Sequence, residues 1–102
     1  MRNLPPLYHW APTACRDAIL ETGLRPSCPH RDGTLTVCLA STPSVAWALS
    51  GAMRERGAWD LWEVCVADTP VFRVRHWGRL CEWRIPRAIA SHGLLLVASR
   101  EW

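Results

Sequence analysis

One histidine, His9, stands between two large aromatic residues near the start of the chain. Tyr8 and Trp10 alternate with it, so a β-strand would place His9 on the opposite face from both rings. A helix is predicted directly afterwards, over 13–22, because apolar residues recur at helical spacing and Gly23 supplies a stop. Such a histidine is either a half-buried strand residue or a ligand-binding group, and both interpretations stay open at this point.

A glutamate interrupts an apolar strand late in the chain. The strand pattern puts Glu82 and Arg84 on one face, while Cys81 and Trp83 flank the glutamate. An ionisable group on an otherwise apolar strand is a local inconsistency of the kind that marks functional sites. Glu82 is therefore a candidate catalytic carboxylate; the alternative is a carboxylate paired with Arg84 or Arg73 on a solvent-facing surface.

A third candidate region follows a predicted buried strand in the middle of the chain. Thr42 can cap a helix over 42–49, and Pro43 suits its first position. Ser44 and Trp47 are three residues apart, so they share one face of this helix. Trp47 either packs in the core of an ordinary amphipathic helix or offers its ring for stacking on a flat ligand.

The cysteines give little indication of a metal site. They form no Cys-x-x-Cys pair, and Cys28-Pro29-His30 is the only fragment with metal-binding residue types, so no bound metal is predicted. The sequence also lacks a Gly-x-Ser-x-Gly elbow and a glycine-rich phosphate loop, which argues against serine hydrolases and dinucleotide fingerprints. The cysteines are Cys15, Cys28, Cys38, Cys65 and Cys81.

All twelve basic residues are arginine, and the formal net charge is +3. Arginine suits phosphate and guanine contacts, so an anionic partner is allowed, although this charge is too small to indicate nucleic acid alone. These arginines either contact such a partner or simply form solvated surfaces. The candidates are Arg25 and Arg31 around the loop after the first predicted helix, and Arg73, Arg75 and Arg84 in the late strands.

The 102 residues, about half of them apolar, predict a single domain, 1–102, of the α+β class. The start lacks the apolar core of a signal peptide and no membrane span is predicted, so we expect a cytoplasmic protein. Seven tryptophans exceed the need of such a core, so some are expected to line a groove or an interface. The remaining predicted elements are a loop at 25–33, strands over 34–40, 59–67, 71–75, 80–85 and 94–99, and a short helix over 86–92.

Four segments taken together resemble the ADP-ribosyltransferase superfamily, in its H-Y-E branch of diphtheria toxin and the poly-ADP-ribose polymerases. The opening is also similar to RNA 2′-phosphotransferases and to DNA-targeting ADP-ribosyltransferase toxins. The segments are Tyr8-His9-Trp10, Ile19-Leu20-Glu21-Thr22-Gly23-Leu24, Val37-Cys38-Leu39-Ala40 with the following Ser44-Val45-Ala46-Trp47, and Glu82 before Ile85-Pro86.

The resemblance implies a split antiparallel β-sheet with two to three short helices, and NAD as co-substrate. His9 would bind a ribose of NAD and the backbone at Trp10 the nicotinamide carboxamide. Ser44 and Trp47 would take the places of the carboxamide-binding serine and the stacking tyrosine of the family. Glu82 would stabilise the transition state. The family usually has glycine or threonine after the histidine, where this chain has Trp10.

Two functions from different classes follow from these residues and the resemblance. One is NAD-dependent ADP-ribosyl transfer to a nucleic acid, nucleotide or protein, with release of nicotinamide. The other is a non-catalytic module of the same fold that binds nucleic acid or protein. The sequence leaves open whether the biological role is that of a toxin, an RNA-processing enzyme or a phage factor.

Overall fold

The computed structural model describes residues 5–29, 32–49, 55–66, 72–75 and 81–102, with the backbone alone at 29, 72–75 and 81. Two short helices accompany seven strands within these residues, and every strand pairing among them is antiparallel, which confirms the predicted α+β class. No helix in this part of the chain has the length and apolar character needed to cross a membrane. The elements are β1 (Leu7–Pro12), α1 (Arg16–Thr22), β2 (Cys28–Pro29), β3 (Leu35–Leu39), α2 (Pro43–Leu49), β4 (Ala58–Val64), β5 (Phe72–Arg75), β6 (Cys81–Ile85) and β7 (Leu94–Glu101).

The strands form two sheets that meet at the first strand. One sheet has the order β1-β4-β7 and the other the order β2-β3-β6-β5. An isolated antiparallel bridge joins them, because the Tyr8 amide donates to the Ala40 carbonyl at 2.7 Å and the Ala40 amide to the Tyr8 carbonyl at 3.0 Å. This bridge brings β1 against the end of β3, and α2 begins at Pro43, shortly after Ala40.

The register of β1 on β4 fixes which side chains face the core. β1 pairs with β4 without interruption, and His9 lies opposite Trp62. Because residues two apart on a strand share a face, His9 lies on the same face as the buried residues Leu7 and Ala11, and Tyr8 and Trp10 belong to the other face. The alternation predicted around His9 therefore matches the pairing. The buried apolar cluster combines both sheets with α1 and contains Leu7, Ala11, Ile19, Leu24, Val37, Leu39, Trp62, Val64, Val66, Ile85 and Ile89.

The predicted helix over 86–92 is wrong. Ile89 instead forms an antiparallel bridge with Leu24, with both amide-to-carbonyl hydrogen bonds at 2.9 Å, and only a 3-10 turn, Ser91–Gly93, precedes β7. The backbone approaches so closely here that a Cβ on Gly23, which has φ of 81°, would lie 2.0 Å from the Ile89 carbonyl oxygen. Tertiary backbone bonds therefore replace the local helical bonds.

Smaller differences concern element ends. The predicted helix over 13–22 starts with a 3-10 turn, Thr13–Cys15, before α1, and the predicted loop at 25–33 contains the two residues of β2. The cap of α2 is as predicted, since the Val45 amide donates to Thr42 Oγ1 at 3.2 Å and Pro43 is the first helical residue.

A buried carboxylate ties the first sheet to the start of α1. Asp60 on β4 is fully buried and accepts hydrogen bonds from Thr13 at 2.8 Å and from Ser99 on β7 at 2.7 Å. Arg16 forms a bidentate ion pair with Asp60, in which Nε and Nη2 each lie 2.7 Å from a carboxylate oxygen. The hydrogen bonds from Arg16 most of all, against the opposing effect of burial, lower the pKa of Asp60 to about 2.

We expect Asp60→Asn to lower the free energy of unfolding at pH 7 by about 2 to 3 kcal/mol, because it leaves the arginine without its counter-charge. In the wild type, the Asp60 contribution should be complete above about pH 4, its unfolded-state pKa. That contribution should be lost as the pH falls through about 2, the folded-state pKa. The measurement is denaturant unfolding at a series of pH values.

Glu21→Gln removes an exposed carboxylate of α1 and is the matched control, with an expected change below about 0.5 kcal/mol. An acid profile of Asp60→Asn that coincides with the wild-type profile would contradict the prediction.

Candidate functional site

A cavity lies where the two sheets meet. It has a volume of about 360 Å³, within the range of small-molecule pockets, and most of its wall is apolar. The lining residues come from both sheets and α2, so the cavity depends on the bridge between the sheets. They are Tyr8, His9, Trp10, Ser27, Cys28, Cys38, Leu39, Ala40, Ala46, Leu49, Trp59 and Glu82.

His9 reaches this wall from β1. Its Nδ1 lies 2.8 Å from the Cys38 carbonyl oxygen, and because a carbonyl only accepts, Nδ1 carries the proton and donates it. Burial lowers the pKa of His9, and the hydrogen bond to Cys38 opposes this only in part. The ring is therefore neutral near pH 7, which leaves Nε2 as a hydrogen-bond acceptor.

Glu82 reaches the same wall from β6 and is almost fully buried, with 7% of its surface exposed. The Arg84 guanidinium donates through Nε to Glu82 Oε1, and both side chains are largely buried. Desolvation alone would lower the pKa of Arg84. The hydrogen bond and the charge attraction to Glu82 have the larger combined effect, so the pKa of Arg84 is raised. The Glu82 carboxylate is thus paired with Arg84, which was part of the alternative interpretation from the sequence. Unlike in that interpretation, it lines a cavity and not a solvent-facing surface.

Two cysteines, neither of which the sequence pattern marked as a site residue, stand beside this glutamate. The thiols of Cys28 and Cys38 and the Glu82 carboxylate all lie within 4.8 Å of one another. Burial, a hydrogen bond with Cys28 and the Glu82 charge raise the pKa of Cys38. Cys38 falls in an apolar run and Cys28 ten residues before it, so only the pairing of β2 with β3 reveals them as neighbours.

Trp47 lies beside the cavity within a cluster of tryptophans. Its ring packs edge-on against Trp10 at 4.9 Å between centroids, against Trp59 at 6.1 Å and against Trp102 at 6.3 Å. The Arg100 guanidinium lies over the Trp47 ring, 4.1 Å from its centroid. Trp10 and Trp59 line the cavity, whereas Trp47 supports them from behind.

Ser44 is exposed on the first turn of α2 and is not among the residues that line the cavity. Its hydroxyl lies 3.4 Å from the capping hydroxyl of Thr42. Of the four side chains that the resemblance assigns to an NAD site, the structure brings His9 and Glu82 to the same cavity, while Ser44 and Trp47 are not among the residues that line it.

The candidate nucleic-acid-binding arginines have different environments. Arg25 is exposed and Arg84 is paired with Glu82. Arg31 lies outside the described residues. Arg73 and Arg75 belong to β5, where their backbone pairs with Trp83 and Cys81, and the structure describes the backbone alone at these two arginines.

Comparison of the chain with profiles of known protein families and with functionally characterised proteins finds no match.

We expect Arg84→Gln to lower the free energy of unfolding by about 3 kcal/mol, because it removes the Arg84 charge from the ion pair with the buried Glu82 carboxylate. Arg87→Gln, at an exposed arginine three residues further on, is the control and should change it by less than about 0.5 kcal/mol. Urea unfolding followed by tryptophan fluorescence measures both. Equal effects of the two substitutions would mean that the Glu82–Arg84 pair adds no stability.

Proposed function

We propose that this protein transfers ADP-ribose from NAD to an acceptor and releases nicotinamide. The observation that carries the proposal is that His9 on β1 and Glu82 on β6, which are far apart in the sequence, line one cavity. These are the two residues that the resemblance to ADP-ribosyltransferases assigns to ribose binding and to catalysis. Further support comes from the protonation state of His9, the negative charge of Glu82 and the aromatic rings of Trp10 and Trp59 in the cavity wall.

His9 has the protonation state that ribose binding needs. Its Nδ1 proton is committed to the Cys38 carbonyl, so the neutral ring offers Nε2 to a ribose hydroxyl, which can donate. The same hydrogen bond fixes the orientation of the ring before any ligand arrives. Ordering that ring therefore costs little binding energy.

Glu82 supplies negative charge where the reaction creates positive charge. In the proposed reaction the bond between the ribose C1 and the nicotinamide nitrogen breaks, and its electron pair leaves with nicotinamide. The ribose then carries oxocarbenium character, which a carboxylate in a mostly apolar cavity stabilises. A hydroxyl or amine of the acceptor attacks C1 and gives up its proton, for which the Glu82 carboxylate is the proposed base.

The apolar part of the wall suits a flat aromatic ring. Trp10 and Trp59 line the cavity, and Trp10 is held by a hydrogen bond from its Nε1 to the Pro43 carbonyl at 3.0 Å. We propose that Trp47 acts through these two rings, on which it packs, more than by direct contact with nicotinamide. Ser44 would join the site only if a ligand extended beyond the cavity along α2.

Glu82→Gln should reduce nicotinamide release at least about 100-fold while NAD affinity stays nearly unchanged, because the charge acts only in the transition state. Glutamine keeps an oxygen that can accept from Arg84 but removes the charge of the ion pair, so urea unfolding of the variant is measured alongside its activity. His9→Ala and Trp47→Ala should instead weaken NAD binding, each by about 10-fold, through a lost hydrogen bond and a loosened aromatic wall. Nicotinamide release is followed by chromatography and NAD binding by calorimetry.

Glu63→Gln, on β4 and outside the cavity wall, is the matched control and should leave turnover unchanged. NAD binding without any turnover in the wild type would favour the non-catalytic module of the same fold. No NAD binding at all would overturn the proposal.

For the acceptor we propose a nucleic acid or nucleotide before a protein, because arginine is the only basic residue type in the chain besides histidine and suits phosphate contacts. Affinity for single-stranded RNA or DNA should then fall steeply with salt, with a slope that reports the number of phosphates contacted. Arg25→Ala, at an exposed site, should reduce this slope by about one if Arg25 takes part. Filter binding at several salt concentrations measures it, and absence of binding at low salt would indicate a protein acceptor.

A further inference from the structure

We propose that Cys28, Cys38 and Glu82 form a binding site for a thiophilic divalent cation, Zn²⁺ being the best match. Two thiol sulfurs and a carboxylate oxygen within 4.8 Å of one another are a mixed donor set that zinc accepts and that Mg²⁺ and Ca²⁺ do not favour. The sequence predicted no metal because Cys28 had no partner pair; the fold supplies Cys38 as that partner.

The sheet brings these side chains together by register. Cys28 pairs with Thr36 on β3, Cys38 is two residues further along β3, and Cys38 pairs with Arg84 on β6, two residues from Glu82. Pairing partners, and residues two apart on one strand, share a face of a sheet. The three donors therefore stand on one face of three adjacent strands, which hold them without help from a flexible loop.

The distances require little adjustment on metal binding. Tetrahedral zinc with Zn–S bonds of about 2.3 Å holds its donor atoms about 3.5 to 4 Å apart. The donor atoms are at most 4.8 Å apart, so movements of the side-chain ends by less than about 1 Å would bring them to zinc-binding distances while the strands stay in place. Three protein donors would leave a fourth position for water or another ligand, and the same three residues line the cavity.

The charges also balance. Two thiolates and one carboxylate carry three negative charges, and Arg84, paired with Glu82, supplies one positive charge. Among these described groups, a divalent cation would offset the other two negative charges, one more than a monovalent cation could. Arg84 would meanwhile orient Glu82 from outside the coordination sphere, as hydrogen-bonding partners of metal ligands commonly do.

The backbone that carries both cysteines is fixed by side chains. Thr36 Oγ1 donates to the Cys28 carbonyl at 2.8 Å, and His9 Nδ1 donates to the Cys38 carbonyl at 2.8 Å. These bonds hold the backbone at both cysteines before a metal arrives. A site organised in this way loses less entropy on binding than cysteines on mobile segments.

The test is a zinc titration of the reduced, metal-stripped full chain against a chromophoric chelator, with Co²⁺ as a spectroscopic probe. One equivalent of Zn²⁺ should bind, Zn²⁺ should raise the melting temperature, and Co²⁺ should give a thiolate charge-transfer band. Cys38→Ser should weaken binding by about 100-fold or more and remove most of that band. Glu82→Gln should weaken binding by about 10-fold or more.

Cys15→Ser is the matched control, because it removes an exposed thiol away from the cluster and should leave zinc affinity unchanged. Equal zinc affinity in the wild type and in the Cys28→Ser/Cys38→Ser double variant would overturn the proposal. Should that variant fail to fold, the wild type alone decides, since a Co²⁺ complex without a thiolate band also overturns it.

Metal binding does not rest on the proposed enzymatic function, because the chelator competition requires no turnover. The two are linked through the shared cavity wall and through Glu82, which cannot ligate zinc and stabilise an oxocarbenium ion at the same time. If the protein releases nicotinamide, Zn²⁺ should inhibit that release in the wild type and should inhibit the Cys38→Ser variant at least about 100-fold less sensitively.

Discussion

The pair of backbone hydrogen bonds between Tyr8 and Ala40 is the contact on which the rest of the structure depends. It is the bridge that joins the two sheets, and the hydrogen bond from His9 to the Cys38 carbonyl lies directly beside it. Without this junction the cavity would have no second wall, because β1 supplies one side and β3 with β6 the other. The same short stretch of β1 thus connects the fold, the orientation of the histidine and the shape of the site.

Most elements could be predicted from local patterns, because alternation and helix capping act over a few residues. The strand around His9, the Thr42 cap with Pro43, and the alternation that puts Glu82 with Arg84 are of this kind. The helix predicted over 86–92 could not be judged from such a local pattern, because the backbone of Ile89 forms its hydrogen bonds with Leu24, which is distant in the chain. Backbone groups that find tertiary partners leave no periodic signal in their own segment.

The candidate site could be predicted only in part, for a related physical reason. Residue type and strand position were sufficient to select His9 and Glu82, which meet in the cavity. The thiol cluster and the buried Asp60 depend on which strands are neighbours and in which register, and a single sequence carries no direct record of either. For Trp47 the sequence left core packing and ligand stacking open, and in the structure its ring packs among other tryptophans.

The pairing of β1 with β4 has a kinetic consequence. Leu7 pairs with Val64, and β4 in turn pairs with β7, so the first sheet is built from segments distant in the chain. The chain must lose the entropy of closing these long loops before the strand contacts can stabilise it, so domains of this topology fold more slowly than helical ones. Asp60 accepts hydrogen bonds from Thr13 before α1, from Arg16 at the start of α1 and from Ser99 on β7, so the carboxylate has its full set of partners only when these distant segments have come together.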